Sequence, residues 1–287
     1  DMLRVPGNRR SLLDVRAAGG QVRIVYSPLD AVTLAQRHPD QHVVFFAVGF
    51  ETTAPATALA ALQAQQLGLE NFSLLVSHVR VQPAMEALMQ SPDSRVQGFL
   101  AAGHVCTITG FDSYNSFVRQ FRVPVVVTGF EPIDLLEGIR DCVQQLEAGR
   151  AGVTNQYARS VDRTGNKDAQ SVVDRVYRVA DSPWRGFDVI PQGGLRLRPD
   201  FQQLDARHRF QATREQFELN VLEESDCPAA DVLAGRLRPV DCRHFGTRCT
   251  PDSPLGAPMV SSEGACAAYY RYHPVIRAPS DPELQEQ

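Results

Sequence analysis

Short apolar runs alternate with longer amphipathic segments through the first half of the chain. Residues 43–50, VVFFAVGF, are almost continuously apolar, which is typical of a parallel strand covered on both faces. The next segment, 51–68, is rich in Ala, Leu and Gln and ends at a glycine suited to a helix C-terminus. This alternation predicts an α/β fold with Rossmann-like parallel-sheet domains. Further strands are expected at 22–27, 72–78, 98–104 and 123–130, and further helices at 29–38, 83–90, 113–121 and 132–149.

The pattern changes after Gly149. We expect residues 153–182 to be polar and helical, and 182–201, rich in Pro and Gly, to hold a turn, a short strand and a linker. From Phe201 onward regular apolar runs are scarce. A segment so poor in aliphatic residues needs another source of stability, and a metal site provides one.

The tripeptide Gly-Phe-Glu follows two of the predicted strands. Glu51 and Glu131 therefore come just past strand ends, where open α/β sheets bind their ligands. Capping of the next helix explains an acid at these positions more simply, and we favour it. His104 has a similar strand-end place and is a candidate ligand, proton carrier or structural histidine.

Composition and charge narrow the classes of function. The chain is 43% hydrophobic and 22% charged with a net charge of −4, as in ordinary globular proteins, and no basic stripe suggests nucleic acid. No run approaches the ~18 apolar residues of a membrane span, and no secretory leader stands at the start. The cytoplasm is therefore the expected compartment. Phosphate-loop, dinucleotide and hydrolase motifs are missing.

Four of the six cysteines are clustered between positions 227 and 266. Clustered thiols in a reducing compartment favour a metal over disulfides. Their gaps are all longer than the ~2–4 residues usual within a zinc knuckle, so a [4Fe–4S] cluster is favoured while zinc, disulfides and free thiols stay open. Cys106 and Cys142, in apolar settings, are expected in the core. The clustered cysteines are Cys227, Cys242, Cys249 and Cys266.

Several longer motifs resemble one family. They include GFETTAPATA at 49–58, GHVCTITG at 103–110, GFEPIDLL at 129–136 and NQYARSV at 155–161. The longest, CRHFGTRCTPDSPLGAPMVSSEGACAAYYRY, covers 242–272. Together they resemble HypD, a family of maturation proteins for the metal centre of [NiFe] hydrogenases, and the resemblance extends over essentially the whole chain.

The resemblance implies a scaffold that works with the small partner HypC rather than a classical turnover enzyme. On such a scaffold an iron ion acquires cyanide, supplied through HypE, and carbon monoxide to give an Fe(CN)2CO group. It implies α/β domains (a remnant at 1–39 and a second at 40–150), a helical or linker segment at 151–200, and a [4Fe–4S] domain at 201–287. The cluster ligands would be Cys227, Cys242, Cys249 and Cys266. The motif residues lining the cleft would be Gly49, Phe50, Glu51, Thr52, Thr53, Gly103, His104, Gly129, Phe130, Glu131 and Pro132.

The sequence departs from the family pattern in one respect. The family carries two cysteine motifs ahead of the equivalent of Met2, thought to hold the maturing iron and to form a redox dithiol, and neither is in this sequence. We therefore expect a fragment that keeps the cluster site and lacks the iron-holding thiol. Two other hypotheses are an α/β enzyme that binds a small anion and has a structural all-cysteine zinc domain, and a zinc-stabilised interaction module.

Overall fold

The computed structural model describes residues 2–5, 7, 10–184, 187–211 and 226–273. The chain divides into two units, each described separately: Arg23–Val221, and a second made of Asp1–Val22 with Leu222–Gln287.

The first sheet of the larger unit joins two parallel strands. β1 (Val43–Gly49) pairs with β2 (Phe72–His78) along its whole length, so Gly49 and His78 are opposite each other at the carboxyl end. β1 is less buried than its apolar run predicts, because among the described residues it pairs with β2 alone and leaves Val44 and Phe46 partly exposed. The helices of this part are α2 (Pro28–Arg37) and α3 (Ala54–Gln66), and α1 (Leu12–Ala17) belongs to the smaller unit.

Small side chains on α3 let this helix lie close to the core. It buries five alanines, which pack with Phe72 and Leu74 of β2. Gly68 just beyond the helix has φ +62°, a left-handed conformation that glycine adopts without strain, so the predicted helix end is confirmed.

The second sheet has three parallel strands in the order β3-β4-β5. The central strand, β4, is buried at all four positions, as its Val-Val-Val-Thr sequence predicts. Its strands are β3 (Phe99–Ala102), β4 (Val125–Thr128) and β5 (Val153–Asn155), and its helices are α4 (Val81–Gln90), α5 (Gly103–Thr109), α6 (Tyr114–Phe121) and α7 (Pro132–Glu147).

α7 turns polar groups toward this sheet. Asp141 accepts hydrogen bonds from Thr154 Oγ1 at 2.6 Å and Gln156 Nε2 at 2.9 Å, which ties the helix to β5. Cys142 beside it is only half-buried, whereas Cys106 on α5 is fully buried.

The predicted helix over 153–182 is wrong at both ends: its first three residues form β5, and the helix begins only at Lys167 and ends at Val176. α8 (Lys167–Val176) ends before Tyr177, whose side chain is buried in the same core as Phe72 and Leu74. β6 (Tyr177–Pro183) follows. β6 pairs antiparallel with β7 (Val189–Leu197), a long-range pairing that overrides the local helical pattern. A 3₁₀ turn, Pro199–Leu204, and α9 (Ala206–Arg209) complete this part.

The strand predicted at 22–27 is also wrong. No strand among the described residues pairs with this segment, and Tyr26 is 99% exposed. The helix after it is correct: Ser27 and Asp30 form a capping box at the start of α2.

The smaller unit has little regular structure, as expected. Its core is a small cluster around Cys249, Met259 and Ala267. The mixed α/β fold with parallel sheets is therefore confirmed, whereas the proposed division into four segments stays a prediction. Across the described residues, no helix is both long and apolar enough to cross a bilayer. The helices of this unit are α1 (Leu12–Ala17), α10 (Ala229–Leu233), α11 (Ala257–Val260) and α12 (Ala265–Tyr272), with 3₁₀ turns at Met2–Arg4 and Pro239–Asp241.

Candidate functional site

Four cysteine side chains line one cavity in the smaller unit. The cavity volume is about 20 Å³, and apolar side chains such as Val232, Leu255 and Met259 complete its wall. Each thiol reaches it from a turn or a short helix. Those thiols are Cys227 before α10, Cys242 after the 3₁₀ turn, Cys249 in the following loop and Cys266 in α12.

Tight backbone turns bring these cysteines together. The N–H of Cys249 donates to the carbonyl of His244 at 2.9 Å, and the N–H of Gly246 donates back to Cys249 O at 3.0 Å. Gly246 has φ +70°, which favours glycine. Gly256 is required for a different reason: a Cβ there would collide with Cys227 Sγ.

The surroundings of Cys266 disfavour its ionisation. Burial, followed by the negative charge of the neighbouring thiolates, raises the pKa of Cys266 to about 12. Four thiolates could share this site only if positive charge offsets them, which is what a bound iron or zinc supplies. The backbone N–H of Leu255 already donates to Cys249 Sγ at 3.4 Å.

The cavity offers four thiols as possible ligands, the number that a [4Fe–4S] cluster takes. None of the six cysteines is in a disulfide. Within the described ranges, no three His, Cys, Asp or Glu side chains are arranged to hold a single metal ion. His244 lines the same cavity, but its Nε2 already accepts a hydrogen bond from Arg243 Nε at 3.0 Å.

The first Gly-Phe-Glu motif ends β1 in the larger unit. Glu51 Oε1 accepts the N–H of Val81 at 3.0 Å, so this side chain caps α4 and not the helix that follows it in sequence. Its other oxygen, Oε2, is buried and lacks a hydrogen-bond partner, and burial raises the pKa of the carboxyl. Phe50 is exposed, with its ring 6.4 Å from that of Trp184, and Thr53 Oγ1 donates to Phe50 O.

A chain of buried polar side chains supports this motif, and Tyr177, Thr57 and His78 are not among the site residues predicted from the sequence. Tyr177 OH donates to Thr57 Oγ1 at 2.9 Å, and Thr57 Oγ1 is 2.8 Å from His78 Nε2. His78 is fully buried, and its other ring nitrogen lies 3.4 Å from Thr53 Oγ1. Desolvation lowers the pKa of His78 to about 4, so the ring is neutral near pH 7. The one sequence feature that points to His78 is its position at the end of the predicted strand β2.

The second group of motif residues lies at the carboxyl ends of β3 and β4. His104 lies in the first turn of α5, two residues beyond the end of β3, and its exposed ring is 4.7 Å from that of Phe130. Tyr157 explains both glycines nearby, because a Cβ on Gly103 or Gly129 would collide with its ring.

An ion-pair network fixes the last motif residues. Arg159 makes two 2.6 Å hydrogen bonds to Asp134 and one of 3.2 Å to Glu131. Hydrogen bonding to Arg159 lowers the pKa of the buried Asp134, although Glu131 keeps 79% of its side chain exposed. Pro132 occupies the first turn of α7, where its missing N–H costs nothing. Tyr157 and Arg159 both belong to NQYARSV, whose likeness to the family was the only sequence signal for them.

The predicted cleft residues thus form two groups on different sheets. Gly49 to Thr53 end the β1–β2 sheet, whereas Gly103, His104 and Gly129 to Pro132 end the three-stranded sheet. Each group is internally packed. That both line one cleft stays a prediction.

Comparison with known proteins gives a single family. The family model described as "HypD: Hydrogenase formation hypA family" matches residues 1–273. The hydrogenase maturation factor HypD of Azotobacter vinelandii is 47% identical over 279 residues, covering 95% of this chain and 73% of that protein. Those of Rhodobacter capsulatus and Escherichia coli K12 are each 45% identical over 273 residues, covering 95% of this chain and 72% of theirs. With a match over almost its whole length, the chain belongs to the HypD family of hydrogenase maturation factors.

Proposed function

We propose that the protein is a cytoplasmic scaffold for hydrogenase maturation that carries a [4Fe–4S] cluster on its four clustered cysteines. The observation that carries the proposal is the convergence of Cys227, Cys242, Cys249 and Cys266 on one cavity in a chain of this family. HypC and HypE are the proposed protein partners. The proposed cargo is the iron ion with its cyanide and carbon monoxide ligands, although the family's iron-holding cysteine is not among the residues of this sequence.

The residues of the cavity have different roles in binding such a cluster. The four thiolates are its ligands, and the apolar wall limits access of water. The Leu255 N–H stabilises negative charge on Cys249 Sγ. When bound, a [4Fe–4S] cluster supplies one-electron transfer.

The two Gly-Phe-Glu groups are the proposed surroundings of the cargo. Phe50 and Phe130 are both exposed and would cover an apolar face of it. His104 and Glu131 are exposed polar side chains that could accept or donate hydrogen bonds there. Arg159 donates a hydrogen bond to Glu131, and the Tyr157 ring packs near that of His104, so both side chains are held in place.

Metal analysis tests the cluster directly. Protein purified without oxygen should contain about four iron and four acid-labile sulfide per chain. Cys249→Ser should lower both by more than half, because it removes the most buried of the four ligands. Cys142→Ser, which alters a thiol on α7 outside the cavity, should leave both unchanged. One zinc per chain without sulfide would contradict the proposal and support a zinc domain instead.

A further inference from the structure

The carbonyl of Phe50 is the end point of a series of side-chain contacts that begins on β6. Tyr177, the first residue of β6, donates to Thr57 Oγ1, which is 2.8 Å from His78 Nε2. The other ring nitrogen, His78 Nδ1, is 3.4 Å from Thr53 Oγ1, and Thr53 Oγ1 donates to Phe50 O at 3.1 Å. These contacts therefore reach the first Gly-Phe-Glu turn from inside the protein.

The ring of His78 lies between helix α3, which carries Thr57, and the turn. It is fully buried, so water cannot replace either hydroxyl partner. Gly49, opposite His78 across the β1–β2 pair, has φ +146° and leaves no room for a Cβ beside Thr53 Oγ1. The backbone therefore leaves β1 at a close-packed point formed by Gly49, Thr53 and His78.

The same strand, β6, also leads to the contact with the Phe50 side chain. Trp184 follows β6 directly, and its ring lies 6.4 Å from that of Phe50. Trp184 Nε1–H donates to Gly193 O at 3.1 Å, and the backbone N–H of Arg80 donates to the same oxygen at 2.9 Å. The β6–β7 hairpin is thus fixed to the residues that follow β2. Phe50 is held at its carbonyl by way of His78 and at its ring by Trp184.

We propose that His78 is the positioning residue of the first Gly-Phe-Glu turn, and that its buried ring sets the position of Phe50 relative to β6. The Phe50 and Trp184 rings then form one preformed aromatic surface. As to what binds there, this inference rests on the proposed function: an apolar face of the iron cargo would meet two rings already in place. Binding would then not have to order the turn, which lowers its entropic cost.

The test is a ¹H–¹⁵N correlation spectrum of the ¹⁵N-labelled full chain. Trp184 is the sole tryptophan, so its indole N–H gives one cross-peak that is assigned without ambiguity. His78→Leu removes both polar contacts of the ring and should shift that cross-peak, together with the Phe50 amide, several-fold more than His42→Leu. His42 is the control because its Nε2 makes the same kind of contact, 2.8 Å to Ser73 Oγ, at the opposite end of the β1–β2 pair.

Two further variants separate the two sides of the ring. His78→Asn keeps a polar group near the Nδ1 position, toward Thr53, whereas His78→Gln keeps one near the Nε2 position, toward Thr57. Each leaves one hydroxyl partner unpaired, so urea unfolding should show a loss of stability in both. The turn depends on the Thr53 side, so His78→Asn should restore most of the Trp184 cross-peak position and His78→Gln should not. A loss of stability alone would not produce this difference.

Two results would overturn the role of His78. One is an equal displacement of the indole cross-peak in His78→Asn and His78→Gln, and the other is a His78→Leu displacement no larger than that of His42→Leu. If the His78 variants do not fold, Thr53→Val decides the matter, because the exposed Thr53 joins the ring to Phe50 O. An unchanged indole cross-peak in Thr53→Val then counts against the inference.

These spectra can be read whether or not the cysteines hold iron. An unaltered protein without iron and sulfide therefore contradicts the proposed function but not the positioning role of His78.

Discussion

Glu51 and Glu131 hold the same place in two copies of Gly-Phe-Glu, yet their carboxylates meet different surroundings. Glu51 is largely buried against α4 with one oxygen unpartnered, whereas Glu131 is exposed beside Arg159. The sequence predicts both positions correctly as strand ends. It could not predict the burial, because the group that donates a hydrogen bond to Glu51, the Val81 N–H, is 30 residues away along the chain.

The buried carboxyl of Glu51 should make stability depend on pH. Its folded-state pKa is raised, so the folded protein favours the protonated form and loses stability as pH rises above the ordinary glutamate pKa of about 4.3. Glu51→Gln keeps an acceptor for Val81 and cannot ionise. Urea unfolding between pH 4 and 8 should therefore show the unaltered protein losing stability relative to Glu51→Gln as pH rises.

Glu137→Gln serves as the control for that series. Glu137 is an exposed residue of α7, and its removal should leave the pH dependence of unfolding as it is. A constant difference between Glu51→Gln and the unaltered protein across the pH range would show that Glu51 ionises as easily folded as unfolded.

At the scale of secondary-structure elements, the hydrogen-bonded chain Tyr177–Thr57–His78 connects two strands and a helix. It joins β6 to α3 and α3 to the end of β2, below the turn that carries Phe50 and Glu51. Local patterns predicted β1, β2, α3 and α4 well because their periodicity is strong. They missed β6, because this strand forms through its pairing with β7 and through the burial of Tyr177. Both depend on residues distant in sequence, which a local pattern does not show.

Removing members of this chain should lower stability in a defined order. Tyr177→Phe deletes one hydrogen bond and should cost about 1 kcal/mol of unfolding free energy. Thr57→Val leaves both Tyr177 OH and His78 Nε2 without their partner, so we expect about 2–4 kcal/mol, since each unpaired group costs about 1–3 kcal/mol. Urea denaturation followed by circular dichroism measures both.

The double variant distinguishes a connected chain from separate contacts. Because Tyr177 has already lost its partner in Thr57→Val, adding Tyr177→Phe should cost little further unfolding free energy or recover part of it. Strictly additive losses would show that the two hydrogen bonds act independently. Thr33→Val on α2, whose hydroxyl bonds within its own helix at the surface, is a suitable control.

At the scale of the whole molecule, the two units differ in what stabilises them. The larger unit has two substantial apolar cores, whereas the smaller one has three buried residues at its centre. The sequence anticipated this contrast from the scarcity of apolar runs after Phe201. It also identified the four thiols, but not the wall around them, because Leu255 and Gly256 reach the cavity through irregular turns that have no periodic pattern.

Removal of the metal should therefore loosen one unit only. After anaerobic chelation of iron, amide hydrogen exchange should accelerate across α10 to α12, where a bound metal replaces a larger core. Exchange in β2 and β4 should not change. Equal acceleration in both units, or none in either, would contradict a stabilising role confined to the cysteine unit.

Trp184 is an intrinsic fluorescence probe of this protein. It is the sole tryptophan of the 287 residues, its ring lies 6.4 Å from Phe50, and its Nε1–H donates to Gly193 O at 3.1 Å. Indole emission responds to polarity and to quenching by nearby metal ions. Tryptophan fluorescence therefore monitors the first Gly-Phe-Glu turn without a label. A change in Trp184 emission when iron or a partner protein is added would show that it binds near this turn.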